Sequence, residues 1–128
     1  MFDLDPELEL LGKSVVDAAF RVHQVFGPGL LERVYESALV LELQSRGISV
    51  ERQVQVPILY LGHVLEDPLR LDLLISKRVV IEVKAVESIL PVHKAQLMTY
   101  LKLSNFRLGF LINFNVAVFK HGIQRVVL

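Results

Sequence analysis

Apolar residues in the first third of the chain return every three to four positions; past Ile48 they return every two. Leu11, Val15, Ala18, Val22 and Val25 fall on one face of a helix, with Lys13, Asp17, Arg21 and Gln24 on the other. Asp5-Pro6 marks its start, because aspartate caps the free amides of a first turn and proline has no amide to lose there. Phe26-Gly27-Pro28-Gly29 marks its end. The spacing predicts a second helix from about Leu30 to Arg46, with Leu31, Val34, Ala38 and Leu41 as its apolar stripe and Gly47 as its C-cap.

From Ile48 onward, Val54, Val56, Ile58 and Tyr60 alternate with Gln53, Gln55 and Pro57, the pattern of a half-buried strand before a turn at Leu61-Gly62-His63. Two strands are expected at about 70–75 and 78–85. Pro91 opens a third helix, with Ala95, Met98, Leu101 and the stem of Lys102 facing inward. Leu108 to Phe114 is almost wholly apolar, as a strand covered on both faces must be. Val116 to Val127 adds a short hairpin or edge strands around His121-Gly122. The order α-α-β-β-β-α-β, with a terminal β element, predicts an α/β fold: a mixed sheet between helices. Residues 1–128 contain no linker, repeat or low-complexity run, so one domain is expected.

Composition narrows the chemistry. No cysteine is present, which excludes disulfides, thiol catalysis and cysteine-bound zinc; a metal would have to be held by oxygen or by the four histidines. The formal net charge is zero, so no global field draws the chain to nucleic acid. The first residues lack a signal-peptide pattern and no run is long and apolar enough to span a membrane; a cytoplasmic protein without membrane association is expected.

Charged residues interrupt two strands that otherwise read as buried: Arg70-Leu71-Asp72, then Glu82-Val83-Lys84. Ionised groups in apolar strands are costly unless something pairs with them. Strand parity puts Glu82 and Lys84 on one face, Leu71, Leu73 and Ile75 on one face of the preceding strand, and Arg70, Asp72 and Leu74 on its other face. A two-residue turn at Ser76-Lys77 would set Asp72 against Ile81. A three-residue turn, Ser76 to Arg78, sets Asp72 against Glu82 and Arg70 against Lys84. Only the second gathers the charges, so that register, or a bulge of the same parity, is expected. Two close carboxylates repel, and a hard divalent cation relieves the repulsion. Lys84 would then offset charge building on a phosphate or orient water.

Asp72 followed by Glu82-Val83-Lys84 resembles the D…(D/E)-x-K signature of the PD-(D/E)xK nuclease superfamily. Gly29-Leu30-Leu31-Glu32-Arg33-Val34-Tyr35 is similar to G-x-x-E-x-x-Y, which names the GxxExxY family within it. Gln96-Leu97-Met98-Thr99-Tyr100 is similar to the Q-x-x-x-Y motif of the exonuclease-like branch, and Gly109 to Phe114 to the last core strand. The resemblance implies a restriction-endonuclease-like αβββαβ core, here with an extra N-terminal helix. It implies Mg²⁺, with Mn²⁺ as substitute, held by Asp72, Glu82, the Val83 carbonyl and Glu32. It gives Lys84, Asp72, Glu82 and Gln96 catalytic roles, places Tyr100 and Tyr35 at the substrate, and makes DNA or RNA the partner. One departure is Leu71, where the signature carries proline.

Other features read more plainly. Gly27-Pro28-Gly29 is no phosphate loop, since no strand precedes it and Pro28 has no amide to donate; it sets the angle at which Glu32 enters. Glu32 and Glu36 are like charges one turn apart, so one of them needs a partner. The four histidines share no ligand spacing, and only His93 falls near the expected site. Tyr60, Phe106, Phe110, Phe114 and Phe119 read as core or interface. The apolar end Val126-Val127-Leu128 suits a homodimer. Two functions from different classes fit the residues: a metal-dependent phosphodiesterase, or a catalytically silent module of the same fold that binds nucleic acid or a protein partner.

Overall fold

Asp5 accepts the Leu8 amide at 2.8 Å and so starts the first helix, α1 (Pro6–Phe26). This computed structural model describes residues 4–128. Val15, Ala18 and Val22 of α1 are buried as the pattern predicts, but Val25 is exposed; in the last turn it is His23 that carries on the buried face.

The second helix, α2 (Glu32–Ser45), presents a different face from the one expected. Tyr35, Leu39, Val40 and Leu43 are buried, while Leu31, Val34 and Leu41 are exposed and Ala38 sits at the core margin. The observed face buries the larger side chains. It also buries Glu36, which is possible because Gln53 and Arg52 donate to its carboxylate at 2.7 and 3.1 Å.

Five strands form a mixed sheet in the order β1-β4-β5-β6-β7. They are β1 (Val50–Val56), β4 (Leu69–Ile75), β5 (Val79–Lys84), β6 (Leu108–Asn113) and β7 (Ile123–Val127). The β5–β6 pair is parallel and the others are antiparallel. The third helix, α3 (Pro91–Ser104), makes the crossover that a parallel pair requires. It buries Leu97 and Leu101; Ala95 and Met98, expected inward, are exposed. The C-terminal segment is one edge strand preceded by a helical turn at Phe119–His121.

A separate small hairpin, β2 (Leu59–Tyr60) with β3 (His63–Val64), turns at Leu61-Gly62. Tyr60 is 65% exposed on it, not in the core. Phe110, Phe114 and Phe119 are core residues as expected.

Two apolar cores lie on the two faces of the sheet. One joins α1 and α2 to Leu73, Ile75, Val79, Ile81 and Val83; the other joins α3 to Leu71, Leu74, Val80 and Leu111. Leu71 and Leu73 therefore face opposite ways, which corrects the simple alternation expected of that strand. β1 switches with it: Val50 packs on the first core, and Val54 and Val56 on the second. No described helix is long and apolar enough to cross a membrane.

Candidate active site

The β4–β5 hairpin adopts the three-residue connection. Ile75 stands opposite Val79, Leu74 opposite Val80 and Leu73 opposite Ile81. The Arg78 amide donates to the Ile75 carbonyl at 2.9 Å, closing a tight turn on Ser76 and Lys77, both of which have positive φ. That register brings Asp72 abreast of Glu82. The backbone ladder stops just before this pair, and the Asp72 carboxylate takes its place by accepting the Val83 amide at 2.9 Å.

Glu82 is buried, and its Oε1 has no hydrogen-bond partner. Burial pushes its carboxyl up to about 9; hydrogen bonding and repulsion from Asp72 add to the push, and Lys84 opposes it. A carboxyl that burial keeps protonated, set against a second carboxyl, is a pairing whose repulsion a cation would relieve.

Glu32 enters from the first turn of α2. Its carboxyl is also pushed up, first by desolvation and then by Asp72, while Lys84 and the Ala85 main chain pull the other way. With Glu36 committed to Arg52 and Gln53, Glu32 is the acid left to the cleft. From α3, Gln96 Nε2 donates to the Tyr100 hydroxyl at 2.9 Å. Burial and the charge on Glu82 hold the Tyr100 hydroxyl above its ordinary pKa.

Glu32, Asp72, Glu82, Lys84, Gln96 and Tyr100 thus line one cleft of about 560 Å³. Val83 joins Glu32 and Asp72 around the adjoining cleft. Tyr35 is not among them. It is fully buried and stacked on Phe114 at 4.7 Å, and its hydroxyl donates to the Gly27 carbonyl and accepts the Leu30 amide. Tyr35 locks the α1–α2 turn and so fixes where Glu32 enters; it presents nothing to a substrate. The His93 ring accepts the Leu90 amide at 3.0 Å, capping α3.

Sequence reasoning gave three residues no role, although it counted Arg70 among the charges that the hairpin register gathers. Arg33 and Arg70 both line the cleft next to Glu32 and Asp72. Charge in an otherwise apolar strand was the available signal for Arg70; nothing comparable marks Arg33. Asn113, buried at the end of β6 beside Lys84, accepts the Val86 amide and donates to the Val86 carbonyl, so it holds the chain just past Lys84.

Among the described residues no three His, Cys, Asp or Glu side chains are gathered tightly enough to cage an ion. Magnesium does not require that. It keeps several waters and takes one or two carboxylates plus substrate oxygens. Paired Asp72 and Glu82, with an unpartnered oxygen between the strands, fit that requirement.

No curated protein and no solved structure gives a significant match to the chain. A family model of the PD-(D/E)XK nuclease superfamily matches residues 9–126, and the chain belongs to that superfamily.

Proposed function

We propose that the protein is a divalent-metal-dependent nuclease that hydrolyses phosphodiester bonds of DNA or RNA, with Mg²⁺ as the ion and Mn²⁺ as substitute. Superfamily membership supports nuclease chemistry with divalent metals. The GxxExxY grouping rests on Gly29, Glu32 and Tyr35. The observation that carries the reading is the cleft itself: two strand carboxylates, one with a buried, unpartnered oxygen, beside a lysine and a third acid.

Asp72 and Glu82 would hold the ion, with the Val83 carbonyl and Glu32 as further oxygen donors. When bound, such an ion stabilises charge on phosphoryl oxygens and makes water more acidic. Asp72 keeps one oxygen on the Val83 amide, which fixes the carboxylate plane beside Glu82. Glu82 would have to give up its proton to hold such an ion. Lys84 Nζ orients the attacking water or meets the charge growing on the phosphate. Gln96 and Tyr100, hydrogen-bonded to each other, shape the wall against which the substrate lies. Water adds across a P–O bond; the products are a phosphate monoester and an alcohol.

The experiment incubates purified protein with plasmid, linear duplex, single-stranded DNA and RNA in Mg²⁺ or Mn²⁺, beside Lys84→Ala and Glu82→Gln. The expected result is cleavage by the parent chain and none by either variant. Cleavage by all three would remove these residues from the mechanism. No cleavage by the parent, with nucleic acid still bound, would leave the silent binding module as the function.

A further inference from the structure

Six of the eight arginines have their guanidinium engaged. Arg46, Arg52, Arg78 and Arg125 pair with carboxylates; Arg21 donates to Gln24 and Arg107 to the Leu128 carbonyl. Of the arginines, only Arg33 and Arg70 make no side-chain hydrogen bond or ion pair with another described residue. Both line the same cleft of about 490 Å³, at the α2 side of Asp72.

That cleft does not stand alone. It shares Glu32, Arg70 and Asp72 with the cleft that holds Glu82 and Lys84, and this one in turn shares Lys84 and Gln96 with a third, of about 610 Å³, along the start of α3. The three form one trough with the carboxylates in its middle. A mononucleotide would fill only the middle. Free guanidiniums, Arg33 in the end cleft and Arg70 where that cleft meets the middle one, are suited to a phosphate, which such groups grip through two parallel N–H bonds.

We infer that the substrate is a polynucleotide strand lying along this trough, and that Arg33 and Arg70 hold its phosphates on the α2 side of the reacting phosphodiester. This rests on the nuclease reading and adds the strand path to it. Because the chain has zero net charge, local contacts supply the electrostatic attraction, and each one is measurable.

The experiment measures binding, not cleavage. A labelled DNA oligonucleotide is titrated with the full chain in calcium, over a range of salt, with thymidine monophosphate as competitor. The variants are Arg33→Gln, Arg70→Gln and Arg70→Lys, with Arg46→Gln, outside the trough, as the charge-matched control. Each glutamine variant in the trough is expected to flatten the logarithmic salt dependence by roughly 0.7 to 0.9. Arg70→Lys and Arg46→Gln should keep the parent slope, and the mononucleotide should fail to compete. Binding by the parent with unchanged slopes in Arg33→Gln and Arg70→Gln would overturn the grip alone. Effective competition by the mononucleotide would overturn the strand path. No binding by the parent at low salt would overturn the nuclease reading together with it.

Discussion

Gln53 in β1 stands opposite Asp72 in β4, and both strands change faces at that pair. The flanking partners, Arg52 with Leu73 and Val54 with Leu71, keep the register on either side. Gln53 takes up the change with φ 52°, a left-handed conformation that costs a side-chain-bearing residue about 1–2 kcal/mol. Its side chain donates to the buried Glu36. Replacement by a β-branched residue should be worse than replacement by glycine, which tolerates positive φ. Gln53→Val is expected to lose about 2 kcal/mol or more by chemical denaturation, and most of the cleavage activity. Gln53→Gly should lose less of both. Equal losses would show that only the Glu36 contact matters.

In the proposed function Asp72 would serve the fold through the oxygen on the Val83 amide and the chemistry through its charge, so two substitutions separate them. Asp72→Asn keeps a carbonyl oxygen for the Val83 amide but gives up the charge. Little change in stability is expected, with cleavage reduced at least about a hundredfold, a loss of at least about 2.7 kcal/mol in transition-state stabilisation. Asp72→Ala abandons both, and should lose a further ~1–3 kcal/mol of stability by leaving that amide unsatisfied. Calorimetric metal titration of the Asn variant should show weakened binding with the melting temperature nearly unchanged.

Glu82 ties stability to pH. In the folded, metal-free chain it keeps its proton until about pH 9; unfolded, it loses it near 4.5. Between those limits the folded state binds the extra proton. This contribution to stability is fully present below pH 4.5 and falls as pH rises towards 9. Denaturation midpoints of the metal-free chain should show that decline, and Glu82→Gln should remove it. Loading the site at neutral pH should also release a proton, seen as a heat of binding that depends on the buffer's ionisation enthalpy. A buffer-independent heat would mean Glu82 was already ionised.

The β4–β5 turn can be improved without touching the cleft. Lys77 is exposed with φ 56°, a conformation that suits glycine. Lys77→Gly should stabilise the chain by about 1 kcal/mol in denaturant, with cleavage unchanged. A loss instead would mean that the lysine side chain contributes contacts that outweigh the relieved strain.

Much of this arrangement was legible in the residues. Asp5-Pro6 and Pro91 marked real helix starts, and the order of elements followed from the change of period near Ile48. The charged residues inside apolar strands led to the cleft, because burying charge without a partner is costly enough to demand an explanation. What stayed hidden depends on partners distant in the chain. The inward face of α2 is decided by Arg52 and Gln53, which make Glu36 buriable, and by Gly27, which accepts from Tyr35. The face switch at Asp72 needs β1 to switch with it, and no local pattern in either strand records that. Tyr35 belonged to a motif, but its hydroxyl is satisfied by its own chain.

The strands that carry Asp72 and Glu82 lie second and third in the order β1-β4-β5-β6-β7, so neither forms a margin of the sheet. Whatever is added at β1 or β7, whether an inserted module or another molecule of the same kind, meets the outside of the sheet first. Selectivity could therefore be rewritten at the periphery while the proposed cleavage site stays where it is.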